Sequence, residues 1–456
     1  MSGNDPLWAL TAAELTPLYR SGAASPEQAL DSVLLRIEQV NPRLNAVVTL
    51  DLPGARRAAA AAAERWRAGQ PLGPLDGVPL TVKDNLFVQG VRATWGSRLF
   101  ADFVPDRDDL PVAALRRAGA VIVGKTNTPE LALSSYTDNL VFGVTGNPWA
   151  PELSPGGSSG GAVAAVAAGC APLALATDAG GSIRRPAGLA GVVGLKPGIG
   201  RVPRRFGFAP LAHDLQVIGP VGRSVADVRA MFATIAAPGH AAAAPAHRLR
   251  IGAFGAFGDA PVEPAVATAF ATACAALRAI GHDVVPIAPI WDPDEAGALF
   301  TALASAGVAR VMAGRTGWQD LVTTSIARQA EAGAVRSATQ YVLDLDRLSA
   351  FRWSLRDAVA AWDVIATPAS PAVAWSRTEP FPARIAGRDA EPRAAAAFST
   401  AVNLAGLPAI VIPAPVPSGA LPIGLQLIGD MASEEALLDL AAQVEAACPW
   451  PRLAPL

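Results

Sequence analysis

Short apolar runs bounded by glycine, proline and polar turns alternate along this chain with longer stretches of helical period. Thr11 can cap a helix over Ala12 to Tyr19, and Ser25 with Gln28 forms a capping-box pattern with Pro26 at the first helical position. That second helix is predicted to run to about Val40, and an alanine-rich third from about Gly54 to Arg67. The run GVPLTV (77–82) reads as a strand that delivers Lys83 at its end, residues 108–119 as a helix, and AVIVG (120–124) as a buried strand. A buried helix is expected over Ser159 to Gly169, followed by the strand LALAT (173–177). LRIGAF, HDVVPIAP, DVIATPAS, AIVIPAP and IGLQLIG read as further strands between helices. The stretch from about 291 to 360 is mostly helical and predicts a lid-like region. Strands alternating with helices point to an α/β fold, a mixed central sheet covered by helices on both faces, with its site at the ends of central strands. No repeat of 20–50 residues and no long linker breaks the chain, so one domain over 1–456 is expected.

Composition narrows the class. About half of the 456 residues are apolar, enough for a sizeable core, and the net charge of −2 gives no reason to expect nucleic acid or an anionic membrane as partner. Cys170, Cys274 and Cys448 are odd in number and lack metal-ligand spacing, which reads as free thiols in a reducing compartment. The N-terminus lacks a basic region, and the longest apolar run, Gly160 to Ala176, is broken by Gly169 and Pro172. A cytoplasmic protein without a membrane span is expected.

The densest chemistry lies between Ser154 and Pro186, where two glycine-flanked serine clusters, GGSSGG and DAGGS, bracket a small-residue apolar segment. Glycine at that density lets backbone approach backbone and frees N–H groups for a ligand. Of 37 cationic side chains only Lys83, Lys125 and Lys196 are lysine. Arginine stays protonated, whereas a buried lysine can lose its proton and act as a base. GAVIVGKT (119–126) fits a phosphate-loop expression, but its intervening residues are themselves the strand, which a phosphate loop should follow. Gly156 to Gly160 fits the G-x-S-x-G elbow with Ser158 as nucleophile. That reading needs a catalytic histidine, and nothing marks His213, His240, His247 or His282 as one.

Lys83 in GVPLTVKDN, Ser158 in SPGGSSGG and Ser182 in TDAGGSIRRPA, spaced 75 and 24 residues apart, together resemble the amidase signature family. The resemblance continues through GLKPGIGRVPR, QVIGPVGRSVADV and LPIGLQLIG, and so covers most of the chain, with its core at about 75–230. It implies a Ser–cis-Ser–Lys triad in which Ser182 is the nucleophile, Ser158 the proton bridge and Lys83 the base. It further implies a cis Gly157–Ser158 peptide and an oxyanion hole from the N–H groups of Ala179, Gly180, Gly181 and Ser182. Asp178 and Arg184 would brace the nucleophile loop and Ser159 would orient its neighbour. Thr177 reads as a strand-end residue, and Lys125 and Lys196 as structural. The logic suits amide cleavage, since a serine hydroxyl needs a base and an amide nitrogen leaves only when protonated.

The resemblance places Ala132 on the acyl-binding wall, with Tyr136, Trp291 and Trp318 as aromatic candidates for an apolar pocket. The chain is similar to stand-alone bacterial amidases. The expectation is therefore a hydrolase of small apolar amides, with aryl carbamates (a urethanase activity) in view. It would act with water, no cofactor and no metal, and its only partner would be the small-molecule substrate; a homodimer stays open. Two other functions remain: a glutamine-dependent amidotransferase A-type subunit releasing ammonia, and an esterase with Ser158 as nucleophile. A non-catalytic scaffold is disfavoured by the intact lysine and serines.

Overall fold

The computed structural model describes residues 5–238 and 248–456; His240 and His247 lie outside them. The predicted caps are present. Thr11 and Ser25 each accept the N–H of the third helical residue, whose Glu14 or Gln28 side chain answers the cap backbone, opening the helices Ala12–Ser21 and Pro26–Leu44. The second runs past Val40 to Leu44 because Pro42 is tolerated close to its end.

One sheet of eleven strands runs through the described residues. In spatial order these are Val47–Leu50, Val121–Thr126, Pro79–Lys83, Leu173–Asp178, Val217–Gly222, Val193–Lys196, Ala409–Pro413, Gly424–Ile428, Val364–Pro368, Arg250–Ala253 and Asp283–Pro286. Pro79–Lys83 pairs in parallel with both Val121–Thr126 and Leu173–Asp178. The next pair is antiparallel, placing Thr177 opposite Ile218, so the sheet is mixed as expected. The strand at Val121–Thr126 extends through Gly124, Lys125 and Thr126, which leaves no phosphate loop between strand and helix.

Side chains alternate across the sheet. Leu80, Val82, Leu173 and Leu175 face a core shared with Val225, Val228 and Met231 of the helix Val225–Ile235. Ala174 and Ala176 face the other side, against Ala162, Val163 and Val166 of the helix Gly160–Ala167. This second helix is buried on every side and packs close: a Cβ on Gly161 would stand 2.4 Å from the backbone nitrogen of Asn127. Only glycine permits that approach.

The expected helical region holds the helices Pro293–Met312, Thr324–Ala334 and Ala338–Ala360. The first packs its Gly307 against the carbonyl of Leu211, and its Phe300 ring lies against Gly180, just past the strand Leu173–Asp178. Among the described residues no helix is long and apolar enough to cross a membrane, and no cluster of His, Cys, Asp or Glu could hold a metal ion.

Candidate active site

Lys83 ends its strand fully buried. Its Nζ lies 2.8 Å from Ser158 Oγ, 2.9 Å from Ser159 Oγ and 3.1 Å from Thr177 Oγ1. Two of these neighbours have fixed roles. The Ser159 hydroxyl donates to the Thr177 carbonyl at 3.1 Å, so its oxygen accepts from the lysine. Thr177 Oγ1 also accepts from Asn85 Nδ2 at 2.9 Å. A neutral amine has two N–H groups and one lone pair; Ser159 and Thr177 take the first, and the lone pair faces Ser158. Burial pushes Lys83 down to about 7, and the charge of Asp178 offsets part of that fall.

The Gly157–Ser158 peptide is cis. Ser182 follows the strand Leu173–Asp178 on a short loop, and its carbonyl accepts the Ser159 N–H at 3.1 Å, tying the two serine loops together. Ser158 and Ser182 both line a cavity of about 20 Å³, room for about one water, with Ala132, Leu133, Thr177, Ala179, Leu211, Gln216 and Phe300. Leu131 and Ala132 both hold positive φ, 51° and 57°. Nearby, Glu130 is anchored by Ser97 Oγ at 2.7 Å and the Thr323 N–H at 2.8 Å.

Asp178 organises the loop that carries Ser182. It accepts the Gly181 N–H at 2.7 Å and the Ile183 N–H at 3.0 Å, and pairs with Arg184 through Nε and Nη2, each at 3.1 Å. Burial works against its charge, but Arg184 prevails and holds the carboxyl well below the usual carboxylate range. One expectation changes here. The Gly181 N–H is already committed to Asp178, which leaves Ala179, Gly180 and Ser182 as the loop's donors without a partner among the described residues.

Several functional neighbours were not legible in sequence. Thr177, read as a strand end, is a direct partner of Lys83, and Asn85 two residues after the lysine supports it. Arg184 also reaches Gln426 Oε1 at 2.8 Å, the Ser399 carbonyl at 3.0 Å and Asn403 Oδ1. Arg185 donates to the Gly180 carbonyl, to Ser399 Oγ at 3.0 Å and to the Gly157 carbonyl at 3.2 Å, clamping both serine loops. The RR dipeptide was the signal for the last.

Other expected residues lie elsewhere. Trp291 packs against Phe254 and donates its Nε1 to Ala397, inside the core. Trp318 packs against the cluster of Trp95 and Phe208, and Tyr136 stands outside the cavity wall. Phe300 is the aromatic that walls the site. Lys125 pairs with Asp84 at 3.1 Å, both buried, and Lys196 Nζ donates to the Pro197 carbonyl at 2.8 Å. His282 accepts the Leu249 N–H through Nδ1 and lies with Gln443.

Residues 28–438 match the family model for amidases, and the chain belongs to that family. The A-type subunit of the glutamyl-tRNA(Gln) amidotransferase of Roseiflexus castenholzii is 36% identical over 98% of this chain and 97% of its own length. Among solved structures, a bacterial aryl acylamidase of the amidase signature enzymes superposes with a TM-score of 0.89 at 26% identity, covering 98% of each chain. A 6-aminohexanoate cyclic dimer hydrolase superposes with a TM-score of 0.84 at 29% identity, covering 99% of each. The chain is thus an enzyme family member acting on carbon–nitrogen bonds, within the amidase-signature fold.

Two expectations are corrected by these relatives. Proteins that match nearly the whole chain are named as one component of a glutamyl-tRNA(Gln) amidotransferase. This overturns a stand-alone hydrolase of small apolar amides, and with it a small molecule as sole partner to the exclusion of nucleic acid; a carbamate specificity has no support either. The physical reason is that lysine, two serines and an oxyanion loop serve any amide carbonyl. They carry no record of the acyl group or of what receives the nitrogen.

Proposed function

We propose that this chain is the A-type subunit of a glutamine-dependent amidotransferase, cleaving the side-chain amide of glutamine and releasing ammonia for transfer within a larger assembly that handles charged tRNA. The observation that carries this reading is the match at 36% identity across 98% of the chain to a protein of that name, joined to a lysine–serine relay built for amides.

Ser182 attacks the amide carbonyl. Its proton passes to Ser158 Oγ as the Ser158 proton moves onto the neutral Lys83 amine, along the 2.8 Å contact. The oxyanion is held by the N–H groups of Ala179, Gly180 and Ser182, each such donor contributing about 3 kcal/mol. The relay then runs backwards. Lys83 returns its proton through Ser158 to the leaving nitrogen, which departs as ammonia and leaves a γ-glutamyl ester on Ser182. Water, deprotonated by the same route, cleaves the ester to give glutamate. Asp178, Arg184 and Ser159 hold the loops in place. Two structural roles follow for the other lysines, whose Nζ atoms face Asp84 and Pro197 rather than the serines.

Affinity-tagged chain expressed in its own host, with recovery of co-purifying proteins and tRNA, is the test. Stoichiometric partners and glutamine-dependent ammonia release are expected. A monomer that turns over no glutamine, alone or in a host extract, would defeat the proposal.

A further inference from the structure

The space bordered by Ser158 and Ser182 is about 20 Å³, so a group that enters it meets every side chain of its wall. Those side chains are apolar or hydroxylic with one exception. Gln216 alone among them carries N–H groups, and no ionised side chain lines the space. Lys83 stands behind the hydroxyls, bonded to Ser158, Ser159 and Thr177. Gln216 is partly buried, and its carboxamide bonds no other described residue.

The backbone on either side fixes where Gln216 stands. Val217 lies opposite Asp178 and Ile218 opposite Thr177 in antiparallel register, so one further step sets Gln216 beside Ala179, the first donor of the Ser182 loop. Opposed residues of an antiparallel pair share a face of the sheet. Gln216 therefore projects on the face of Thr177, whose hydroxyl meets Lys83. On its other side, Asn403 Nδ2 reaches the Leu215 carbonyl at 3.4 Å, and also the Asp178 carbonyl at 3.1 Å and Oδ1 at 2.9 Å. One side chain thus fastens both the approach to Gln216 and the start of the Ser182 loop.

That loop is one donor short, because the Gly181 N–H goes to Asp178 at 2.7 Å. Attack by Ser182 puts a negative charge on the substrate carbonyl oxygen, in a space with no cation in its wall. Donors aimed at such a charge contribute most where water is excluded.

We propose that Gln216 is a catalytic residue that donates an Nε2 hydrogen bond to the oxyanion, completing the hole formed by Ala179, Gly180 and Ser182. As the bond from Ser182 Oγ to carbon forms, the carbonyl π pair moves onto oxygen and Gln216 holds it without giving up a proton. The hydrogen bond weakens again as the carbonyl re-forms and the nitrogen leaves. The role is the same for any acyl group. It deepens the amide-cleavage reading, and rests on Ser182 as the nucleophile rather than on glutamine as the substrate.

The test compares wild type, Gln216→Leu and Gln216→Glu on glutamine and on p-nitrophenyl acetate, an activated acyl donor. Affinity for butylboronic acid, whose tetrahedral adduct on Ser182 carries the same negative charge, is measured in parallel. Gln216→Leu is expected to lower kcat by about 10²–10³-fold with KM kept within about twofold. Boronate affinity should fall with kcat, while the thermal midpoint stays within about 2 °C, since the carboxamide bonds nothing in the fold. Gln216→Glu should be no more active than Gln216→Leu, because its carboxylate faces the growing charge. An unchanged kcat would overturn the assignment, as would a raised KM with kcat and boronate affinity kept, which would put Gln216 on the acyl group instead. Wild-type boronate affinity no greater than that of Ser182→Ala would overturn it through the nucleophile. Ester turnover that depends on Gln216, without glutamine turnover, would keep the oxyanion role and remove the glutamine reading. Glutamine turnover indifferent to Gln216→Leu would do the reverse.

Discussion

Lys83 Nζ and Ser158 Oγ stand 2.8 Å apart, and among the described residues no carboxylate forms an ion pair with the lysine. The lysine's other partners are hydroxyls, so nothing of opposite charge in contact holds it protonated, and it is free to serve as a base near neutrality. Lys83→Ala should lower kcat for ammonia release by about 10²–10⁴-fold. Lys83→Arg should be as inactive, since a guanidinium does not surrender its proton. A Lys83→Arg enzyme retaining more than about a tenth of wild-type activity would remove the lysine from the relay.

The same contact sets a pH dependence. Because burial lowers Lys83 to about 7, its neutral, active form is lost as pH falls below that value. The profile of kcat/KM against pH should rise about tenfold per unit up to about 7 and level off above it. Lys196 is also lowered to about 7 by burial, but its Nζ points at the Pro197 carbonyl. Lys196→Met should therefore keep the inflection, which stopped-flow ammonia detection across about pH 5–9 can locate.

Thr177→Val keeps the shape of the side chain and removes the acceptor shared by Lys83 and Asn85. The ammonium form of Lys83 loses a partner, so the acid limb should move to lower pH while kcat falls by about tenfold as the amine loses its alignment. An unmoved acid limb would mean that Thr177 does not touch the titrating group.

Arg184→Met leaves the Asp178 carboxylate buried without its cation. The loss should be about 3–5 kcal/mol of stability, read as a fall in the urea midpoint. Activity at low temperature should drop as well, because Asp178 also holds the Gly181 and Ile183 N–H groups.

Much of the fold was legible where local chemistry decides it. Thr11 and Ser25 announce their helices, and GVPLTV announces a strand ending at Lys83. The strands Val193–Lys196 and Val217–Gly222 have no such local signal; Gly194, Gly219 and Pro220 dilute their pattern, and neighbours in the sheet make them strands. In the site, the lysine and serines lie in local motifs, but their support does not. Asn403 and Gln426 reach Arg184 from 219 and 242 residues away, a pairing that no local pattern encodes. Nor does any motif name the acyl group, because the cavity wall beside the serines is assembled from Ala132, Leu211 and Phe300, far apart in the chain.

That long reach of Arg184 has a consequence for biosynthesis. Every member of the triad has left the ribosome before the chain's second half is made, yet the loop that carries Ser182 is fastened by Ser399, Asn403 and Gln426, made last. Until the strand Gly424–Ile428 is laid into the sheet, the loop that carries Ser182 lacks the contact from Gln426 to Arg184. A fragment ending before that strand carries the full local signature of lysine and serines yet lacks the residue that fastens their loop from the far side of the sheet.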